Sequence, residues 1–158
     1  FKLIDIKLSL LNANLFIKLH PVQTFSEKDK KLIDFSENIT ALLSKDDDIY
    51  ESLGKYDVLV TDYSGIFFDF LISGKPVIMA PIDYDNYVKY DRKVYYDFLS
   101  ISPIFPCNDW NEILKSVEEL KQAKRPSTRY CEIQKRFHKF YDEKSTERVI
   151  QEIKKIVK

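Results

Sequence analysis

The chain has 158 residues, a length that fits one domain with a sizeable core. Its residues are 44% hydrophobic and 32% charged, which excludes a disordered or low-complexity chain. Lys+Arg and Asp+Glu stand equal at 25 each, and a net charge of zero argues against a protein that wraps nucleic acid, because affinity for phosphate backbones comes from surplus Lys and Arg.

The two cysteines, Cys107 and Cys131, and two histidines are too few and too scattered for a structural zinc site or a disulfide framework; they suit a reducing cytosol. No run approaches the roughly 18 apolar residues of a membrane span, and no signal-peptide pattern opens the chain. The first residue is Phe1 and not Met, so the sequence is expected to begin inside a larger protein. There is no internal repeat and no Gly/Ser linker.

In chain order, Phe1 to Asn12 places Leu3, Ile4, Ile6, Leu8, Leu10 and Leu11 on a helical face. Asn14 to Leu19 is a short apolar strand that His20-Pro21 stops. Asn38 to Leu43 reads as a second strand or a helix, Ser44 to Asp48 as a polar break, and Ile49 to Tyr56 as a short helix with Gly54 near its end. Asp57 to Thr61 is the clearest strand, apolar as a strand covered on both faces should be. Asp62-Tyr63-Ser64-Gly65 turns the chain into a helix over Ile66 to Ile72, which Ser73-Gly74 closes, and Pro76 to Ala80 is another buried strand. Pro81 to Asn108, with three prolines and many Tyr and Asp, reads as loop-rich. Asp109 then caps a helix, with Glu112 completing a capping box, and Arg129 to Tyr141 and Ser145 to Val157 read as two more helices. This alternation predicts a single α/β domain over 1–158: a Rossmann-like parallel sheet with helices on both faces and a helical C-terminal tail.

In such sheets ligands gather beyond the carboxyl ends of the strands. Three ends can be named: Lys18 to Pro21, Thr61 to Gly65, and Ala80 to Asp83. At the second, Ser64 and Gly65 would lie at a helix start, where unpaired N–H groups favour a phosphate and Gly65 permits close approach. Asp62 or Ser64 as a plain helix cap accounts for the same residues equally well. His20 is either a site residue on this rim or an ordinary structural or surface histidine. His138 reads as a helix-surface residue without a role. Ser145 reads as an N-cap with Arg148 in the first turn. The tyrosines at 84, 87, 90, 95 and 96 are a base-stacking surface or, more simply, packing. Neither cysteine has charged neighbours that mark a nucleophile. There is no Gly-x-Gly-x-x-Gly, no Gly-Lys-Ser/Thr loop, no Gly-x-Ser-x-Gly elbow and no His-Glu-x-x-His.

Taken together, Lys18-Leu-His-Pro21, Asp57 to Phe70 and Lys75-Pro-Val-Ile-Met79, followed by Tyr87 to Asp97 and Asp142 to Arg148, resemble the CDP-glycerol:poly(glycerophosphate) glycerophosphotransferase family of teichoic-acid and capsule polymerase-like enzymes. The likeness runs in order over about residues 15 to 150. It implies a two-domain glycosyltransferase-B fold of which this chain is most of the C-terminal, donor-binding half. It also implies site residues: His20, as the catalytic-site residue, on the donor pyrophosphate with Pro21 near the nucleoside; Asp62, Tyr63, Ser64 and Gly65 on the phosphates; Arg92 as a cation; and Asp142, Ser145, Thr146 and Arg148 bordering the cytidine or a phosphate. The implied reaction is attack by an acceptor hydroxyl on the glycerol-bearing phosphorus of CDP-glycerol, with CMP leaving. The family's base histidine belongs to the N-terminal half, so this chain is expected to bind nucleotide without turning over alone.

No tightly bound cofactor and no metal site are expected, with a divalent-metal requirement left open, and the balanced charge speaks against a nucleic-acid partner. The implied partners are CDP-glycerol, a lipid-linked or polymeric acceptor and the enzyme's own N-terminal domain. The implied location is the cytoplasm, peripheral on the cytoplasmic face of the bacterial membrane. Two residues depart from the family pattern: Gly65 replaces the second Ser of Tyr-Ser-Ser, and Glu143 replaces the Gly of the closing motif. The family's domain also begins with a central strand ahead of the helix at Phe1, so the domain in isolation is expected to be poorly stable unless something fills that slot. Two other readings remain: a nucleotide-sugar glycosyltransferase of the same fold, and a phospho-receiver signalling domain in which Asp62 ends the acceptor strand. His20-Pro21 stands where a receiver needs its acidic pair.

Overall fold

The computed structural model describes residues 1–20, 22–42, 48–90, 93–123 and 125–157. The elements follow as α1 (Lys2–Leu10), β1 (Leu15–Ile17), α2 (Glu27–Asp34), β2 (Ile39–Ala41), α3 (Ile49–Leu53), β3 (Leu59–Thr61), α4 (Ile66–Leu71), β4 (Val77–Met79), α5 (Tyr84–Tyr90), α6 (Phe98–Ile101), α7 (Trp110–Gln122), α8 (Thr128–Phe137) and α9 (Ser145–Ile156).

The strands are parallel, as helical crossovers require. β1 pairs with β2 in the register Leu15↔Ile39 to Ile17↔Ala41, and β3 with β4 from Leu59↔Val77 to Thr61↔Met79. The expected single sheet is therefore divided into two parallel pairs, with no ladder hydrogen bond between them among the described residues. What joins the pairs is α7: its Ile113 packs with Ile78 of β4, and the adjacent Leu114 packs with Leu8, Ile33 and Ile39. Lys7 Nζ of α1 donates to Asn111 Oδ1 of α7 at 2.8 Å.

Side chains alternate across a strand, and β4 uses both of its faces. Val77 and Met79 enter the main core with Phe67, Phe70, Leu71, Phe98, Ile101, Tyr130 and Ile133, while Ile78 enters the α7 side with Cys107 and Ile113. Helices thus cover both faces of this pair. In β1, by contrast, Leu15 and Ile17 face the core but Phe16 is 45% exposed, resting on Tyr56 at 5.4 Å between ring centroids.

A helix end leaves carbonyls without intrahelical donors, and α8 supplies donors to α4. Gln134 Nε2 donates to Leu71 O at 2.7 Å, and Tyr130 Oη donates to Lys75 O at 2.7 Å just beyond. His138 Nε2 lies 2.7 Å from Phe68 O. His138 is thus a half-buried structural residue that leaves helical geometry (φ −123°, ψ 95°) to reach this carbonyl, which corrects its reading as a helix-surface position. The departure also ends α8 at Phe137, four residues short of the predicted Tyr141.

Other expectations shift similarly. The loop-rich span 81–108 also contains two short helices, α5 and α6; Asp97 caps α6 by accepting from Ser100 N at 2.8 Å. α2 had no counterpart in the predicted order, although Ser26 Oγ caps it by accepting from Asp29 N. Asp109 caps α7 as expected, but the Glu112 carboxylate accepts from Asn108 N at 2.6 Å, one residue before the cap. At α9 the N-cap is Lys144 and not Ser145; the Asp142 carboxylate takes the Lys144 amide instead. Leu43 and the Ser44-to-Asp47 part of the polar break lie outside the described residues.

Candidate functional site

The turn from Thr61 to Gly65 carries the most legible site in the fold. Thr61 is buried at the end of β3, and its carbonyl accepts from Ala80 N at 2.8 Å, which ties the carboxyl ends of β3 and β4 together. Beyond it, Asp62 Oδ1 accepts from Ser64 N at 3.1 Å. That bond uses the Ser64 amide, one of the groups expected to face a phosphate. The Gly65 and Ile66 amides have no acceptor within the chain among the described residues. Gly65 adopts φ −60° and ψ −21°, open to any residue, and a Cβ there would meet nothing within 4 Å. The chain itself does not require glycine at this position.

Asp62, Tyr63 and Ser64 line a cavity of about 280 Å³ floored by Phe67, Met79, Phe98 and Ile101 and walled by Tyr87 and the stretch Lys93 to Tyr96. Its volume lies just under the roughly 300–1,000 Å³ of typical ligand pockets, room for part of a nucleotide. The mouth is polar and the floor apolar, a form suited to a ligand with an anionic head and a flat body. Lys93, next to the expected cation Arg92, is the cation lining it among the described residues. Arg92 and Pro21 lie outside the described residues.

Tyr63 is held on three sides. Its hydroxyl donates to Asp83 Oδ1 at 2.7 Å, its ring stacks on Tyr87 with centroids 4.0 Å apart and planes 18° apart, and Phe98 meets it edge-on at 5.7 Å. Burial pushes the Tyr63 phenol up, and the Asp83 hydrogen bond and the charges of Asp83 and Asp62 push it further, so it stays protonated at neutral pH. The remaining tyrosines divide: Tyr84 packs on Phe98 and Tyr96 on Phe68 and Phe137, whereas Tyr95 is 91% exposed at the cavity wall.

The other predicted site residues stand elsewhere. His20 is exposed, and its Nδ1 accepts a long 3.4 Å bond from Val22 N. Asp142, Ser145 and Arg148 form a separate cluster at the α8–α9 corner. Arg148 makes a 2.8 Å ion pair with Asp142, donates to Ser145 Oγ at 3.2 Å and lies 4.0 Å over the Phe140 ring. The Arg148 hydrogen bond holds the Asp142 carboxyl below its usual range, and Asp142 in turn raises the Arg148 guanidinium. Thr146 is exposed in the first turn of α9, as is Glu143 before it. Neither His20 nor this corner lines the Asp62–Ser64 cavity. Ser145 and Arg148 border a shallow apolar groove of about 440 Å³ along α9 instead.

Among the described residues, no group of three or more His, Cys, Asp or Glu is placed to hold a metal ion, and no helix is long and apolar enough to cross a membrane. Burial pushes the Cys107 thiol up, which suits a packing residue.

Comparison with known proteins places these features in a family. The chain is 30% identical over 109 residues to a teichoic acid poly(ribitol-phosphate) polymerase of Bacillus spizizenii, an alignment covering 67% of this chain and 16% of that protein. It is 28% identical over 104 residues to a teichoic acid glycerol-phosphate primase of Bacillus subtilis, covering 66% and 26%. It is 31% identical over 100 residues to a teichoic acid poly(glycerol phosphate) polymerase of Bacillus spizizenii, covering 63% and 23%. The chain thus matches a quarter or less of the length of most of these curated relatives. Two solved structures of the wall teichoic acid polymerase TagF, one soaked with CDPG, share the fold at TM-scores of 0.57 and 0.58, with 20% and 17% identity. Each alignment covers 96% of this chain and just under half of the solved one. The family model for CDP-glycerol:poly(glycerophosphate) glycerophosphotransferases matches residues 5–155, and the chain belongs to that family.

Proposed function

We propose that this chain is the nucleotide-donor half of a two-domain glycerophosphotransferase of wall-polymer synthesis, and that it binds CDP-glycerol at the Asp62–Ser64 cavity. The observation that carries the reading is the coincidence of the family match over residues 5–155 with a polar-mouthed, aromatic-walled cavity at the carboxyl ends of β3 and β4. In the reaction, an acceptor hydroxyl oxygen bonds to the glycerol-bearing phosphorus. The bond from that phosphorus to the bridging oxygen breaks, CMP leaves with the electron pair, and the hydroxyl proton passes to a base expected in the N-terminal half. The work left to this half is to align the donor and stabilise phosphoryl charge. Ser64 Oγ and Lys93 would serve the phosphates at the mouth, His20 Nε2 would donate to the pyrophosphate from beyond β1, and Arg148 would border the nucleotide after giving up Asp142. The acceptor would be lipid-linked or polymeric, and the complete enzyme would work at the cytoplasmic face of the membrane.

A second reading concerns only the polyol. The poly(ribitol-phosphate) polymerase among the relatives makes CDP-ribitol a competing donor.

Calorimetric titration of CDP-glycerol, CDP-ribitol, CMP and UDP-glucose decides between them, repeated with His20→Ala and Ser64→Ala. Cytidine-selective binding, weakened by each substitution by about 1.5–3 kcal/mol for a charge-assisted hydrogen bond, supports the donor-half reading. Tighter binding of CDP-ribitol transfers it to that polyol. A preference for UDP-glucose, or cytidine binding indifferent to Ser64→Ala, sinks it.

A further inference from the structure

Asp83 has no part in the reading above, yet it accepts a 2.7 Å hydrogen bond from the hydroxyl of Tyr63, a residue that lines the cavity. It lies twenty positions from its donor Tyr63, beyond β4 where Tyr63 is beyond β3. Its own carbonyl accepts from Tyr87 N at 3.0 Å in the first turn of α5, so Asp83 holds both members of the Tyr63–Tyr87 stack. Ser64, by comparison, is exposed, and its hydroxyl makes no hydrogen bond within the chain among the described residues. Its backbone is held locally, the amide donating to Asp62 Oδ1 and the carbonyl accepting from Phe67 N at 3.2 Å, so the tie between this turn and α5 is left to the neighbouring Tyr63.

Two physical arguments give this weight. A short exposed turn ending in glycine has much conformational freedom to lose, and a ligand that must order it binds less well. Moreover, a carboxylate beside an anion-receiving mouth opposes the anion, so Asp83 is at odds with the site unless its hydrogen bond supplies something else.

We propose that Asp83 is a positioning residue which, through the Tyr63 hydroxyl, fixes the Asp62–Gly65 turn against α5 and so sets the mouth that receives the anionic part of the ligand. The ligand-binding consequence rests on the donor-half reading; the fixing of the turn does not.

The test compares Asp83→Ala, Tyr63→Phe, their double variant and Asp83→Asn in the same chain. Amide hydrogen exchange of residues 62–66 is read without ligand, and CMP affinity is read by calorimetry. Exchange across α4 and α8 serves as the folding control. The expected result is that Asp83→Ala and Tyr63→Phe each speed exchange in the turn and weaken CMP by about fivefold, the effect of one lost hydrogen bond. The double variant should be no worse than either single one. Asp83→Asn, whose amide oxygen still accepts the phenol proton, should return both readouts close to the parent. Unchanged exchange in the turn overturns the proposal, and so do additive effects in the double variant. Tighter CMP binding in both Asp83→Ala and Asp83→Asn also overturns it, since charge and not position would then be what Asp83 supplies. A turn that loosens as described in a chain that binds no cytidine nucleotide upholds the positioning role and removes the donor reading alone.

Discussion

Two parallel strand pairs of equal length lead into His20 and into the Asp62–Ser64 turn, and they are embedded differently. β3–β4 is covered on both faces, with all three residues of β4 buried. β1–β2 is covered by α1 and α2 on one face, and the buried part of that cluster is only Leu8, Ile33, Ile39 and Leu114. The contrast explains why the Asp62–Ser64 turn sits in a formed cavity while His20, at the end of β1, projects into solvent on one long hydrogen bond. A functional side chain is placed as accurately as the core behind it, and here that core is unevenly shared.

The comparison can be broken most directly by matched isoleucine truncations. Ile78→Ala in β4 is expected to cost about 4–5 kcal/mol, the upper part of the range for buried aliphatic residues, because Ile78 is fully buried against Cys107 and Ile113 in a strand covered on both faces. Ile39→Ala in β2, equally buried but in the thinner layer, should stay near 2–3 kcal/mol. Equal losses in urea unfolding would mean the two halves resist deformation alike. A smaller effect sharpens the picture at the turn. Gly65→Ser restores the commoner Tyr-Ser-Ser form at a position with ordinary dihedrals and open space. It should raise stability by about 0.4–1 kcal/mol through the unfolded chain. Loss of stability in a thermal melt would show a crowding that the open geometry lacks.

The smallest effect lies at the exposed α8–α9 corner. The Asp142 carboxyl is lowered on folding by Arg148, so its contribution is fully present above the ordinary carboxylate value and is lost as the pH falls through a folded value below 3.8. Amide exchange in the first turn of α9 should therefore quicken only in that acid window, and Asp142→Asn should abolish the pH step. A step near neutrality would point to another group.

Much of this was legible in the residues. The strand at 59–61, the turn behind it, the helix closed by Ser73-Gly74 (Gly74 at φ 72°) and the Asp109 cap were each signalled by local chemistry whose outcome is nearly independent of context. α5 escaped because it has no buried residue and so no apolar periodicity to show, and α6 because it is four residues long. Asp83 and Lys93 could not be singled out by type, as carboxylates and lysines are common on surfaces. For Asp83 position is the signal, since it stands at the carboxyl end of the strand Pro76 to Ala80.

By itself the sequence determined the α/β class, the places of the four strands and the family, because apolar periodicity, caps and motif order are written along the chain. Only the tertiary structure decided that the strands pair two by two, that His138 reaches Phe68, that Arg148 pairs with Asp142 at a corner of its own, and that Tyr63 is held by Asp83. The Tyr63 and His138 contacts depend on which surfaces meet across twenty and seventy residues of chain, and the Arg148–Asp142 pair on how the chain turns between α8 and α9; such hydrogen bonds follow from packing, which no local pattern encodes.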